Sequence, residues 1–543
     1  EGNILIILSS GSALSLNWPD VQQDERRIDC MRKSKFFLRG FALLSVALWI
    51  ATANEKSIAF LAKDPPAVPV GFREKQKSIS SRIRNAERGT PAKARRSSTG
   101  RSKFRELFAK FNSSAPINSE NWIIVTTVNP PTRQMLEVCS IPDWNKLVVG
   151  DSSTPDSEWQ KVEGCAYLSL ADQLELDYHV GNLIPIKRYE RKIIGYLFII
   201  EAGGEIVFDT DDDNIQAAGV PLVLPHQDDS WLCCKTASDD ETAWNAYAHF
   251  GREDIWNRGL PLDRTMSKIE YVTEAEGLTR VRPLIQQGLV NMDPDLDAIA
   301  RLTKPFSEIS NVRFSDDASV LAFPRWSYHP INSQNTVYTR DAMWALLLPT
   351  TTLWREDDIF RGYWNQRLLW EIGGSLIIQG ATAYQVRNPH DFLLDLSQET
   401  DMYRNTAAML KVLNEWRCPS DLTLGECVVD IHEMLHSDGY LKGKEDVVIA
   451  KAWNQDLLSL EYRFPSRVDI TSSNKGEHPY YASCSLVNET YAMLPRQYVE
   501  LRNTYKSTSG LFLANASREE LEALFDPVEC GQGDTRGCEA TRG

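Results

Sequence analysis

An apolar strand that runs directly into a cluster of carboxylates is the feature that most constrains this fold. Residues 205–208, Glu-Ile-Val-Phe, have the pattern of a buried strand, and Asp209, Asp211, Asp212 and Asp213 follow at once. Four carboxylates within five residues repel one another, so a fold that gathers them needs a compensating cation. Alternation along a strand points Asp211 and Asp213 to the same side. The run predicts a cation site, although a calcium loop or a solvated acidic turn would explain the same pattern.

Alternating strands and helices precede the acidic run. Residues 122–128 and 146–150 have the pattern of buried strands, and residues 191–202 have that of an amphipathic helix that ends at a glycine pair. This alternation indicates an α/β fold with parallel strands, whose ligands bind beyond the carboxyl ends of the strands. Asp151 follows the second strand, so we expect it beside the acidic run, within a catalytic domain of residues 119–395.

A second acidic group, Glu356-Asp357-Asp358, precedes a long aromatic segment. A carboxylate that lies across from the cation could accept the proton of an acceptor hydroxyl or stabilise a developing sugar cation. Asp358 is the first candidate for this role and Asp357 is the second. Arg361 could offset the charge of a leaving diphosphate. The alternative is a helix start, where acidic side chains are favourable without any catalytic role.

Charge and periodicity divide the rest of the chain. A net charge of −15 argues against a nucleic-acid partner, because phosphate neutralisation needs basic surface. Residues 54–118 are polar and basic, which predicts a flexible stem. Helical periodicity over 396–470, strongest at 403–416 and 424–436, predicts a C-terminal helical extension. Residues 471–543 form a turn-rich C-terminal region with no predicted role.

The N-terminal region has the layout of a targeting signal. Residues 31–53 combine a basic flank with an apolar run, as in a signal peptide or a short signal-anchor, and we interpret residues 1–30 as an upstream extension. The positive flank stays cytoplasmic, so the remainder is expected in the lumen, tethered to the membrane through this segment. Three glycosylation sequons agree with a lumenal location, at Asn112, Asn488 and Asn515.

Cysteine usage also fits an oxidising compartment. Ten cysteines are too few for a disulfide scaffold in 543 residues, but they allow a few bridges. The spaced candidates are Cys139, Cys165, Cys418, Cys427, Cys484, Cys530 and Cys538. The sequence contains no Cys-x-x-Cys pair, which argues against a structural zinc cluster.

Five longer stretches carry a family resemblance. They are YERKIIGYLFIIEAGGEIVFDTDDDN (189–214), FGREDIWNRGLPL (250–262), PLIQQGLVNMDPDLDAIARL (283–302), PINSQNT (330–336) and DDIFRGYWNQRLLWEIGGS (357–375). In this order they resemble the STELLO-type glycosyltransferase family of plants and its animal relatives. The resemblance implies a GT-A (Rossmann-like) fold, a nucleotide-sugar donor and a type II membrane protein of the Golgi apparatus. The acidic run and the DPDLDA stretch are also distantly similar to UDP-arabinopyranose mutases.

The resemblance also implies roles for single residues of the donor side. Asp211 would contact the nucleotide and share the metal with Asp213, while Asp212 would lie on the donor side. Asp151 would meet the base or the ribose, and Lys192 the diphosphate. The implied cofactor is Mn²⁺ or Mg²⁺, which take oxygen ligands and commonly bind through one or two carboxylates plus substrate phosphates.

Two further positions are interpreted through the resemblance. Many GT-A enzymes carry a histidine beyond the acceptor region that completes the metal shell, and His390 stands at a suitable distance for it. Met292, in the stretch NMDPD, stands where we expect a small residue. This departure leaves the roles of Asp293 and Asp295 open.

Two rival hypotheses come from other classes of protein. The sequence HEMLH at 432–436 has the pattern of zinc peptidases, in which two histidines share a helix face and Glu433 activates water. Lys442 stands where the extended pattern needs a third histidine, which argues against a peptidase. The other rival is a non-catalytic Golgi scaffold of the same fold. The sequence favours transfer of a sugar, UDP-linked, to a glycan or protein acceptor in the Golgi lumen.

Overall fold

The computed structural model describes residues 4–7, 13–16, 97–114, 117, 119–216, 232–238, 242–271, 278–387 and 390–468. The chain divides into two compact units, Glu1–Lys77 and Ser78–Gly543. In the first unit, strands β1 (Ile4–Ile7) and β2 (Ala13–Leu16) pair antiparallel. The predicted signal segment at 31–53 and the C-terminal region at 471–543 lie outside the described residues. None of the helices within the described ranges is long and apolar enough to cross a membrane.

The second unit is built on a mixed sheet of eleven strands. These strands are β3 (Asn121–Thr126), β4 (Asn145–Val149), β5 (Ala166–Leu168), β6 (Ile206–Thr210), β7 (Asn214–Gln216), β8 (Leu232–Thr236), β9 (Leu278–Val281), β10 (Pro283–Met292), β11 (Leu321–Phe323), β12 (Asn335–Thr339) and β13 (Ser375–Gln385). Their order across the sheet is β5-β4-β3-β6-β12-β10-β13-β11-β8-β9, and β7 pairs with β13. Strands β5, β4, β3 and β6 run parallel, whereas β12 is antiparallel to both of its neighbours. The expected parallel sheet therefore forms four of the eleven strands of a larger mixed sheet.

Helices cover the sheet and extend it at the C-terminal side. They are α1 (Ser98–Ser114), α2 (Arg133–Ser140), α3 (Asp156–Trp159), α4 (Leu170–Glu175), α5 (Lys192–Glu201), α6 (Ala246–His249), α7 (Ala298–Thr303), α8 (Phe306–Ile309), α9 (Asp357–Trp370), α10 (Phe392–Gln398), α11 (Thr400–Glu415), α12 (Leu424–Ser437) and α13 (Glu445–Ser459). This mixed α/β arrangement fits a Rossmann-like glycosyltransferase fold.

Helix α5 leads the chain into the acidic run. The sequence predicts an amphipathic helix here, but every residue from Lys192 to Ile200 is buried. Gly195 explains how the helix packs so deeply, because a Cβ at this position would lie 2.6 Å from side-chain atoms of both Ile124 and Val149. The glycine lets α5 approach β3 and β4 closely and fixes the direction in which β6 follows it.

The predicted flexible stem at 54–118 differs from the structure at its C-terminal end, where α1 forms. Leu107 and Phe111 are buried, and the rings of Phe104 and Phe111 lie 5.0 and 5.5 Å from the ring of Phe198 on α5. The apolar residues of α1 recur every three or four positions on one face. The basic composition of the segment masks this periodicity in the sequence, and the folded unit begins before residue 119.

The predicted helical extension is observed as α11, α12 and α13. Helix α12 begins with a capping box, in which Thr423 and Glu426 each accept a backbone N–H of the other. Two disulfides, Cys139–Cys165 and Cys418–Cys427, confirm bridges for four of the seven spaced cysteines, and Cys484, Cys530 and Cys538 lie outside the described residues. The second bridge ties the segment before α12 to the helix itself.

Candidate functional site

The acidic run lies where β3 and β6 end side by side. Strand β6 ends at Thr210, and Asp212 in the following loop is held from the end of β3. Thr127 Oγ1 and Asn129 Nδ2 donate hydrogen bonds to Asp212 Oδ2 at 2.6 and 3.0 Å. Asp212 therefore joins the acidic run to the neighbouring strand end.

Asp209, the first carboxylate of the run, is fully buried beneath the others. The Nζ of Lys192 lies 2.5 Å from its Oδ1. Tyr196 OH donates to its Oδ2 at 2.7 Å, and Arg361 Nη2 lies 3.5 Å from the same oxygen. Three polar partners hold this carboxylate, so Asp209 supports the site from below rather than facing a ligand.

Asp211 and Asp213 are partly exposed at the surface of the site. Asp211 accepts a hydrogen bond from Tyr189 OH at 3.2 Å, and Asp213 accepts one from Gln385 Nε2 at 2.7 Å. The other oxygen of Asp213, Oδ1, is buried without a hydrogen-bond partner among the described residues. Burial and the neighbouring carboxylates raise the pKa of Asp213 to about 6 and that of Asp211 well above its usual range. The Lys192 ammonium, 3.7 Å from Asp211 Oδ1, offsets this effect only in part, so the charged forms of both carboxylates stay unfavourable.

This pair fits a hard divalent cation that a ligand helps to hold. Within the described ranges, no group of three or more His, Cys, Asp or Glu side chains is arranged to bind a metal without help. Mg²⁺ and Mn²⁺ sites, however, often use only one or two carboxylates and complete the shell with water and substrate phosphates. The free oxygen of Asp213 and the carboxylate of Asp211 supply that number.

The contacts of His390 are with residues other than Asp211 and Asp213. Its Nδ1 is 3.4 Å from a carboxylate oxygen of Asp395, and Asp395 also lies 3.8 Å from Arg387. The structure thus brings His390 to an ion-pair cluster and not into contact with Asp211 or Asp213.

The segment 188–192 connects the donor-side candidates. The backbone N–H of Arg188 donates to Asp151 Oδ2 at 3.1 Å, which holds Asp151 beyond the end of β4. Tyr189 reaches Asp211, and Lys192 Nζ donates to Thr210 O at 2.7 Å. The sequence analysis predicted Asp151 beside the acidic run, and this segment provides the link between them.

Lys192 and Arg361 lie deeper than a contact with a diphosphate requires. Both side chains are about 1% exposed or less. The ammonium of Lys192 donates hydrogen bonds to Tyr189 OH and the Thr210 carbonyl and forms an ion pair with Asp209. Their geometry favours support of Asp209 over the direct contacts with the diphosphate that we expected from the sequence.

The second acidic group lies at the start of α9, where Arg258 holds it. Arg258 Nη1 and Nη2 lie 3.2 and 3.3 Å from the two oxygens of Asp358, and the backbone N–H of Ser333 donates to Asp358 Oδ2 at 3.3 Å. Burial, with the adjacent Asp358, raises the pKa of Asp357 well above its usual range. The position is a helix start, as the alternative interpretation holds, but the carboxylate of Asp358 is also bound by Arg258, 100 residues away in the sequence.

Arg258 also explains the NMDPD stretch. Its Nε and Nη2 donate to the two oxygens of Asp295 at 2.7 and 2.8 Å, and Asn332 Nδ2 donates to Asp295 Oδ2 at 2.7 Å. Met292 has a φ of 73°, in the left-handed region that favours glycine, which accounts for our expectation of a small residue. Hydrogen bonds in both directions with the Val312 backbone hold it there. Asp295 is a structural partner of the arginine that grips Asp358.

Arg258 and Asn332 are the site residues that we did not single out from the sequence. Both stand in stretches that carry the family resemblance, FGREDIWNRGLPL and PINSQNT. A single basic residue far from any acidic motif gives no local signal of a bidentate contact. The positions of these stretches within the resemblance were the only signal available.

The HEMLH sequence does not form a metal centre. His432 is buried, its Nδ1 lies 2.7 Å from Val428 O, and its ring meets Trp364 edge-on. His436 Nδ1 lies 3.1 Å from Leu441 O, and Glu433 pairs with Lys451. These contacts make the histidines part of the helix packing, and the peptidase hypothesis has no support.

Of the predicted glycosylation sites, Asn112 lies on α1 and is exposed. Its Oδ1 accepts a hydrogen bond from the backbone N–H of Ile117 at 2.9 Å. Asn488 and Asn515 lie outside the described residues.

Glu356, just before α9, is expected to make stability depend on pH. Burial raises its pKa to about 7, against an ordinary value of 4.5. Between these values the folded chain binds more protons than the unfolded chain, so stability falls as the pH rises through that window. We expect Glu356→Gln to reduce this fall by up to about 3 kcal/mol.

Urea-unfolding midpoints between pH 5 and 8 measure this effect. The exposed Glu253 provides the control, since Glu253→Gln should leave the pH profile of the wild type unchanged. An unaltered profile in Glu356→Gln would show that Glu356 is not the group responsible.

Comparison with known proteins agrees with the resemblance. Residues 355–498 match the family described as STELLO glycosyltransferases. Two relatives from Arabidopsis thaliana, named probable glycosyltransferase STELLO1 and STELLO2, are each 32% identical over 372 residues. The match covers 66% of this chain and 47% or 48% of the relatives, so the chain spans about half the length of each.

The family match begins two residues before Asp357 and includes all of α9. The similarity to the two relatives extends over a region more than twice as long. On these matches, the chain is similar to the STELLO glycosyltransferases.

Proposed function

We propose that the chain is a metal-dependent glycosyltransferase with a GT-A fold that transfers a sugar from a nucleoside diphosphate sugar, UDP-linked, to a glycan or protein acceptor. The observation that carries the proposal is the pair Asp211 and Asp213 at the end of β6. Both carboxylates have raised pKa values, and one oxygen of Asp213 has no partner among the described residues. Carboxylates in this state gain most from a divalent cation.

The chain's own residues would position the donor. Gln385 orients Asp213, and Tyr189 orients Asp211, through the hydrogen bonds described above. Within the part of the chain that the structure describes, Asp151 accepts hydrogen bonds from two backbone N–H groups, those of Ser152 and Arg188. Its carboxylate therefore retains lone pairs for a ribose or base hydroxyl or N–H. Mn²⁺ or Mg²⁺ held by Asp211 and Asp213 would supply Lewis acidity that lowers the cost of charge on the leaving diphosphate.

The acceptor side would use the carboxyl groups at the start of α9. Asp358 is oriented by Arg258 and by the Ser333 amide, so its oxygens are held in one direction. Burial and the adjacent Asp358 raise the pKa of Asp357, and a raised pKa makes a carboxylate a stronger proton acceptor. One of these two groups would receive the proton of the acceptor hydroxyl.

We also propose that the protein acts in the Golgi lumen, anchored through residues 31–53. The exposed sequon at Asn112 supports this location, and so do the two disulfides, because such bridges persist in oxidising compartments. Microscopy of a tagged chain, together with glycosidase sensitivity at Asn112, tests the location independently of activity.

A donor screen tests the activity. The 543-residue chain is incubated with a panel of nucleotide sugars and Mn²⁺, and released nucleotide is measured. We expect release from at least one UDP-sugar and loss of release when EDTA removes the metal. Failure with every donor, together with no binding of UDP–Mn²⁺, would favour the non-catalytic scaffold of the same fold.

A further inference from the structure

Trp354 stands out in the loop that leads to the acidic group at the start of α9. The side chain is 58% exposed. All other residues from 350 to 360 are buried or half-buried. An isolated exposed apolar side chain is common on protein surfaces, so the surroundings of the indole decide whether it has a role.

The loop that carries Trp354 is fastened at both ends. Asp446 on α13 accepts hydrogen bonds from the N–H and Oγ1 of Thr350 at 2.6 and 2.9 Å, and another from the N–H of Thr351 at 3.3 Å. Two residues beyond Trp354 in the sequence, Glu356 accepts a hydrogen bond from the backbone N–H of Met402 at 2.8 Å. These contacts restrict the backbone of the loop, so little further ordering is needed when a ligand meets the indole.

Arg188 fixes the ring itself. Its Cζ lies 5.0 Å from the centre of the Trp354 ring, within the range of a cation–π contact. The guanidinium is held in turn by Glu190, with Nε 3.0 and 3.1 Å from the two carboxylate oxygens, and by Thr350 O, 3.3 Å from Nη2. Trp354 is therefore a rigid, largely exposed aromatic surface.

Arg188 links the Trp354 ring to the donor side of the proposed site, and the chain links it to the acceptor side. The backbone N–H of Arg188 holds Asp151 on the donor side, while its side chain extends to Trp354, three residues before Asp357. The indole is thus separated from Asp151 by the length of an arginine side chain and is next to the acceptor-side carboxylates in the chain.

We propose that Trp354 is a binding surface for a sugar ring of a glycan acceptor. The apolar C–H face of a pyranose removes water from an indole face, whereas the sugar hydroxyls at the ring edge stay hydrated. The assignment of this sugar to the acceptor rests on the proposed function. It identifies the acceptor as a glycan rather than a bare polypeptide.

Binding measurements that need no turnover test this proposal. The 543-residue chain is applied to immobilised neutral oligosaccharides of glucose, galactose, mannose, xylose and N-acetylglucosamine, and UDP–Mn²⁺ binding is measured separately by calorimetry. We expect Trp354→Ala to weaken oligosaccharide binding by about tenfold and Trp354→Phe by less, since a smaller aromatic face remains. The matched control is Phe306→Ala, which removes another exposed aromatic side chain (63% exposed) from α8 and should bind as the wild type does.

Each outcome of these binding measurements supports or overturns a stated proposal. No binding of any oligosaccharide by the wild type, or equal binding by wild type and Trp354→Ala, overturns the glycan surface. Weaker UDP–Mn²⁺ binding in Trp354→Ala would assign the indole to the donor base instead, which also overturns it. If the wild type does not bind UDP–Mn²⁺ but its oligosaccharide binding depends on Trp354, the proposed transferase activity is overturned and the glycan surface is retained.

Discussion

Asp213→Asn is expected to lower metal-dependent release of nucleotide by more than about a hundredfold, which is the upper range for loss of a group that only supports a metal ligand. The amide keeps the volume of the side chain and can keep one hydrogen bond to Gln385, but it removes the charge that the cation needs. The buried oxygen without a partner, Oδ1 of Asp213, is the atom whose chemistry changes. Initial rates at a series of Mn²⁺ concentrations measure the effect.

A thermal-shift measurement separates this loss from unfolding. The raised pKa of Asp213 means that its charged form is unfavourable in the folded chain without metal, so above pH 6 the neutral amide should not lower the melting temperature. UDP–Mn²⁺ should raise the melting temperature of the wild type by mass action and leave that of Asp213→Asn nearly unchanged. The control Asp317→Asn makes the same substitution at an exposed position and should behave as the wild type does. Full activity in Asp213→Asn would exclude this metal site.

The sequence predicted the fold best where one apolar pattern dominated. The strands β3, β4 and β6 and the helix α5 occur within two residues of their predicted boundaries, because continuous burial leaves long runs of apolar residues. Helix α1 was missed because its apolar face is interspersed with basic residues. The antiparallel strand β12 beside β6 could not be foreseen either, since pairing between distant strands leaves no local signal.

The carboxylates of the site were predictable from the sequence, but the residues that pair with them were not. The sequence analysis brought together Asp151, Asp211 and Asp213 through the rule that parallel strands end at one edge. In the structure, segment 188–192 connects Asp151 with Asp211, and Gln385 holds Asp213. It did not find Arg258, whose contacts with Asp295 and Asp358 span 37 and 100 residues. Charge pairing over such separations follows from the folded topology alone.

The sequence analysis placed Lys192 at the diphosphate. Its burial indicates instead that replacing this residue mainly lowers the stability of the fold. Its ammonium is completely buried, 2.5 Å from Asp209 Oδ1 and 3.7 Å from Asp211 Oδ1. Removing one partner of a buried ion pair leaves an uncompensated charge, which costs about 3–5 kcal/mol. Lys192→Met preserves the length of the side chain and should therefore destabilise the chain by that amount, because Tyr196 and Arg361 compensate Asp209 only in part.

A double-mutant cycle tests whether Asp209 is the cause. Asp209→Asn should reverse a substantial part of the loss in the Lys192→Met background, since it removes the unpaired charge, and we expect a coupling energy of about 2 kcal/mol or more. Urea-unfolding midpoints measure all four chains, and Lys161→Met, at an exposed position, should change stability by no more than about 0.5 kcal/mol. Additive effects of the two substitutions would show that the pair does not support the acidic run. A stable Lys192→Met chain with impaired UDP–Mn²⁺ binding would instead indicate that Lys192 contacts the diphosphate.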